Sequence, residues 1–221
     1  MRAALIFCIT IFLFSCKGSH RPNSEAIKLN DSAISLQMQD QQMGLAKYGS
    51  MDSVKKVQIA LLNRATKIDS NYFLGYWNKF PIQYALKQYA NALATGKEML
   101  RLKPKDTIVQ FLVGKIYDQM GDTVIAKVYY KGYLIYCERK LDTMSRSSKQ
   151  RSLVEFEKAL VLILLNQPQK GHDILNKLYK QADDWDKDRY LVYMRLKRAD
   201  MLKDTSITIG NSTTIINAFS P

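Results

Sequence analysis

Residues 73–136 read FLGYWNKFPIQYALKQYANALATGKEMLRLKPKD and then TIVQFLVGKIYDQMGDTVIAKVYYKGYLIY, and the second stretch repeats the residue types of the first. Shifted by 34 positions, Trp77 falls on Phe111, Leu86 on Met120, Ala92 on Ala126 and Leu100 on Leu134. Ala65 falls on Met99 and then on Tyr133. A period of this length marks stacked helix pairs, each of which buries its apolar face only against its neighbours. The residue types suit that packing. Gly114 and Ala126 are small where two antiparallel helices approach closely, and Tyr117, Tyr130 and Leu134 fill the space around them.

Tyr89-Ala90-Asn91-Ala92-Leu93, followed by Gly96, Met99, Leu100, Leu102 and Pro104, resembles the second helix of a tetratricopeptide repeat with its terminal proline. Val113-Gly114, Tyr117, Met120-Gly121-Asp122, Ala126, Tyr130, Tyr133 and Leu134 resemble the whole repeat. The resemblance is close over about 73–136, looser over 152–181 and weak before 72. It implies an all-α fold: a tetratricopeptide-like α-solenoid of about three to four helix-turn-helix units with a C-terminal capping helix.

Working outward, a weak helical pattern runs from Asp31 to about Tyr48, and Ser53 suits the N-cap of a stronger helix carrying Val54, Val57, Leu61, Ala65 and Ile68. Downstream, Ser152–Leu165 reads as a first helix, Asn166-Gln167-Pro168 as a turn, and Gly171 to Tyr179 as a second helix. That unit starts 11 residues late, so 138–151 is expected to extend the preceding helix and then loop. Pro81 is expected to kink its helix, or to mark where that helix starts or stops. Asp186–Lys203 reads as the capping helix, with Tyr190, Tyr193, Met194 and Leu196 on its apolar side. The organisation is thus an export signal (1–15), a polar tether (16–30), a helical domain (31–204) and a tail (205–221) without charge.

In the signal, Arg2 precedes a short apolar run from Ala3 to Leu13 broken only by Thr10. That run falls short of the roughly 20 residues needed to span a bilayer core. Leu13-Phe14-Ser15-Cys16 resembles a bacterial lipobox, with Phe14 bulkier than the usual residue there. The resemblance implies cleavage before Cys16 and a lipid, such as palmitate, on its thiol; an ordinary cleaved signal is the alternative. Cys8 leaves with the signal and Cys16 is taken by the lipid. Cys137 then has no partner for a disulfide and reads as a buried small hydrophobe. Lys17 stands where an aspartate retains many lipoproteins at the inner membrane, and no acidic run follows. The implied location is the cell envelope, at the outer membrane facing the periplasm.

The formal net charge is +13, and loss of residues 1–15 removes Arg2 alone, leaving +12. Such a surplus biases encounters towards anionic head groups, cell-wall carboxylates or acidic proteins. Nucleic acid is not an expected partner, because no recognition module accompanies the charge. The chemistry of catalysis is thin. The two histidines, His20 in the tether and His172, lack convincing partners, and His172 and Asp173 point to different helix faces, which makes His172 an expected surface residue. There is no CxxC, HExxH, GxSxG or glycine-rich phosphate loop. The acidic run Asp183 to Asp188 lacks the glycine and terminal glutamate of a calcium loop, and a helix start favours carboxylates by itself. No catalytic residue, cofactor or metal is expected.

The informative constellation is aromatic: Tyr72, Phe73, Tyr76, Trp77, Phe80, Tyr84 and Tyr89 lie within 18 residues. Tyr76 and Phe80 share a core-facing side, and Trp77, Pro81 and Tyr84 form an adjacent face. In the family resembled, that face of the first helix lines a concave groove that binds peptides. The implied partner-binding residues are Trp77, Asn78 and Tyr84, with Phe111, Lys115, Asp118 and Gln119 one repeat on. Alternatively, Trp77 and Phe111 pack between successive repeats. The expected function is a lipid-anchored scaffold or assembly factor holding another envelope protein or peptide. The rivals are an immunity or inhibitor protein that sequesters a toxin or enzyme and, less favoured, a cell-wall-active enzyme.

Overall fold

The computed structural model describes residues 20–43, 50–145, 148–195 and 197–203. The export signal, Cys16 and the 205–221 tail lie outside the described residues. Four helix pairs follow one another: α1 (Ser24–Met43) with α2 (Met51–Ile68), α3 (Phe73–Ala85) with α4 (Tyr89–Leu102), α5 (Thr107–Gln119) with α6 (Thr123–Thr143), and α7 (Lys149–Leu164) with α8 (Pro168–Gln181). Each helix packs on its pair partner, and the second helix of each pair packs on the first helix of the next, which makes the chain an all-α solenoid, and no strand occurs among the described residues.

The repeat is visible in the backbone as well as in the side chains. Within the last three pairs, the turn between helices passes through one left-handed residue: Lys87 (φ 57°), Gly121 (φ 88°) and Asn166 (φ 62°). In each, the following N–H reaches back five residues: Gln88 to the Gln83 carbonyl at 2.9 Å, Asp122 to Tyr117 at 2.8 Å and Gln167 to Leu162 at 2.9 Å. This closure satisfies carbonyls that the ending helix leaves open. The left-handed residues are 34 and then 45 positions apart, so the 11 added residues fall in the second interval. There α6 lengthens to 21 residues, against 14 in α4, before the chain loops to α7.

Packing follows the same register. Ala92, Ala126 and Gly171 are buried small residues of the second helices. A Cβ on Gly114 would stand 2.7 Å from Tyr129 Cβ, and one on Gly171 would stand 2.6 Å from the Ala159 carbonyl oxygen. Close approach is what these positions require. One core cluster runs from Tyr76 to Met201 and contains Cys137, whose thiol is pushed up to about 12, first by burial and then by the charge of Glu157.

Several boundaries differ from those expected. Helix α1 starts at Ser24, so residues 24–30 are helix rather than tether; Ala26 and Asn30 are buried against the first repeats despite the polar composition. Ser50, not Ser53, caps α2, accepting the Ser53 N–H on its hydroxyl at 3.2 Å. Helix α3 neither starts nor stops at Pro81 but runs through it, because its neighbours Phe80, Ile82, Gln83 and Tyr84 are all buried. The last helix is broken into α9 (Asp184–Arg195) and α10 (Arg198–Lys203). Helix α9 performs the capping, with Tyr190 and Tyr193 set edge-on to Phe156 of α7 at 5.8 and 4.9 Å.

Candidate functional site

The first helices of three successive pairs, α3, α5 and α7, present a shared surface, and α10 lies across it. Four of the expected partner-binding residues meet here. Asp118 extends from α5, and its side chain is fully buried. The Tyr130 hydroxyl donates to Asp118 Oδ2 at 3.0 Å, and the Arg198 guanidinium of α10 donates to both carboxylate oxygens. Burial first, and then the Asp118 charge, pushes the Tyr130 hydroxyl well above the ordinary phenol range, which keeps it a donor. Arg198 Nε also donates to the Leu164 carbonyl at the end of α7, 2.9 Å away.

At the other end of α10, the Leu202 carbonyl accepts from the Tyr84 hydroxyl at 3.3 Å and from the Gln119 side-chain amide. A helix leaves its last carbonyls without internal partners, and here α3 and α5 supply them. Gln119 also donates to the Tyr84 hydroxyl at 3.1 Å, which ties the two donors together. The Lys115 ammonium sits 5.4 Å from the centre of the Tyr84 ring. Met201 of α10 is 1% exposed and belongs to the main core cluster.

The other three expected residues lie elsewhere. Phe111 is 0% exposed and packs on Tyr130 and Tyr133 at 5.6 and 5.2 Å, so it is a core residue and not a groove anchor. Trp77 is half-buried and stacks on Phe73 at 5.8 Å. Asn78 donates to Asn30 Oδ1 of α1 at 2.8 Å, joining the first two pairs. Lys115, whose ammonium the resemblance implied for partner binding, is buried.

Residues of α10 were not foreseen as site residues. The usable signal was Asp118, a carboxylate on a helix otherwise filled by Phe111, Leu112, Val113 and Ile116. Such a group needs a cation, but Arg195, Lys197, Arg198 and Lys203 all qualified by sequence.

Two further features frame this surface. At the N-terminal end, His20 Nε2 and the Asn23 N–H both lie 2.9 Å from Asp69 Oδ2, and the Asn71 N–H donates to Oδ1 at 3.0 Å. Burial raises the Asp69 carboxyl, but the bonds from Asn23, His20 and Asn71 outweigh it and hold the group below its ordinary value. Near the C-terminal end of α6, a cleft of about 490 Å³ is lined by Glu138, Asp142, Arg151, Glu155, Lys158 and Lys177. Its charges pair with one another, Lys158 with Glu138 at 3.0 Å and Lys177 with Glu155 at 3.2 Å. His172 is half-buried rather than a surface residue, and its Nε2 is enclosed without a hydrogen-bond partner. Among the described residues no cluster of metal-ligating side chains occurs.

No protein-family model matches the chain, and neither does any curated protein or solved structure.

Proposed function

We propose that the chain is a lipid-anchored envelope protein of tetratricopeptide type that acts as a scaffold or assembly factor, receiving a partner segment in the groove across α3, α5 and α7. One observation carries the reading: the groove already holds a helical segment, seated by a buried carboxylate for a guanidinium and by two converging donors for a terminal carbonyl. Those are the polar groups that orient a peptide, set among apolar walls. The 34-residue register and the lipobox-like Leu13-Phe14-Ser15-Cys16 support the family and the anchor.

Affinity recovery from detergent-solubilised envelopes tests the binding surface, comparing wild type with Tyr84→Phe, Asp118→Asn and the outer-face control Val128→Asp. Loss of a co-purifying protein in Tyr84→Phe at unchanged melting temperature, and in Asp118→Asn at a temperature where that less stable variant is still folded, with retention in the control, supports the groove. Loss only in parallel with unfolding contradicts it. Mass spectrometry of the mature N-terminus tests the anchor: acylated Cys16 is expected, and an unmodified N-terminus at another residue overturns it.

A further inference from the structure

We infer that α10 is a displaceable occupant of the groove, and that the partner is a helix end carrying Arg-x-x-apolar-Leu, which replaces it contact for contact. This rests on the groove reading above. The chemistry of the partner is written in the contacts of α10. Arg198 Nη2 donates to both oxygens of Asp118 while Nε donates to the Leu164 carbonyl, so two separate nitrogens of one planar guanidinium serve two sites that the single nitrogen of a lysine does not reproduce. Three residues on, Met201 fills an apolar position that is almost fully enclosed. The next residue, Leu202, offers its carbonyl to Tyr84 and Gln119, an acceptor that the last turn of a helix leaves free.

Displacement is built into the connection. The described part of α10 is six residues, fewer than the roughly 12 to 15 an isolated helix needs, so docking is what holds this part helical. A break in the helix separates it from α9, so its release leaves the α9 contacts with Phe156 in place. Of the solenoid helices it touches chiefly α5 and α7. An incoming segment competes with a tethered one, and its apparent affinity is reduced by the fraction of molecules in which α10 is docked.

The test uses the full chain and a fluorescein-labelled peptide with the sequence of residues 197–203, KRADMLK, followed by fluorescence polarisation. Arg198→Glu sets a second carboxylate beside Asp118 and expels α10, and Met201→Asp does so independently from the apolar side. Both variants are expected to bind the peptide at least about tenfold more tightly than wild type. Adding Asp118→Asn to either variant, or replacing the peptide arginine by lysine, is expected to abolish that gain. Circular dichroism reports whether each variant retains the solenoid, and one folded variant suffices.

Equal binding to wild type and variants, lost with Asp118→Asn, overturns the displaceable occupant but keeps the groove. Binding that ignores Asp118→Asn, or no binding to a folded variant, overturns the partner chemistry. If neither variant folds, α10 is an integral part of the solenoid and the inference is wrong.

Discussion

Arg198 of the last helix caps a carboxylate, Asp118, that lies 80 residues earlier in the chain and is wholly buried. Removing one member of such a pair leaves the other uncompensated, at a cost of about 3–5 kcal/mol for a fully enclosed site. Because α10 is short and its release admits water, Arg198→Met is expected to lower stability by about 3 kcal/mol, the bottom of that range. The double variant Arg198→Met with Asp118→Leu is expected to recover most of the loss. Urea unfolding of the four proteins in the cycle measures it, and strictly additive losses would contradict the pairing.

The same substitution, glycine to alanine, is expected to have opposite signs at two sites. At Gly132 nothing lies within 4 Å of the added methyl, and the helix gains about 0.5–1 kcal/mol. At Gly171 the methyl meets the Ala159 carbonyl oxygen at 2.6 Å and Ile163 Cγ1 at 2.7 Å. The backbone atom cannot yield as a flexible side chain does, and overpacking is expected to cost about 1–3 kcal/mol. Thermal melts of the two variants decide this, and equal shifts would refute the close contact of α7 with α8.

Lys87 and Asn166 occupy the left-handed conformation that Gly121 adopts without penalty. For an L-residue the penalty is roughly 1–2 kcal/mol, partly offset by the greater unfolded-state freedom of glycine. Lys87→Gly is therefore expected to stabilise the protein by about 0.5–1 kcal/mol. A destabilised Lys87→Gly in chemical denaturation would argue against the shared turn geometry.

Asp69 fastens the segment that precedes α1. Its carboxyl is held below the ordinary value of 3.8 in the folded protein. The stability it confers is therefore fully present above the unfolded value and is lost as pH falls through the lower folded one. Asp69→Asn is expected to be less stable than wild type near neutrality, with the difference shrinking as pH drops below 3.8. A gap that stays constant down to pH 2 would show that the carboxylate charge is not what holds the segment.

The solenoid was legible because its signal is repeated: Trp77 on Phe111, Ala92 on Ala126 and Leu100 on Leu134 keep one register, which the left-handed turns at Lys87 and Gly121 then follow in the backbone. The same register put Tyr84, Asp118 and Gln119 together, and these three side chains are the ones that contact α10. Phe111 was misread because a helix face defined by spacing does not say how far the partner helix α6 wraps around it. The start of α1 was missed because its stability is tertiary. Asn30, Ala26 and the Asp69 contacts lend order to a stretch whose own composition is that of a linker. The docking of α10 depends on one arginine among four nearby cations, and chain pattern alone cannot choose among them.

Photo-crosslinking in intact envelopes tests the central claim most directly. A benzophenone amino acid replaces Gln119, which lies in the groove against Leu202, or Val128, which is 67% exposed on α6. A discrete adduct with another envelope protein is expected from position 119 and none from position 128. An adduct from 128 alone, equal adducts from both positions, or none from either would contradict a partner held in the groove.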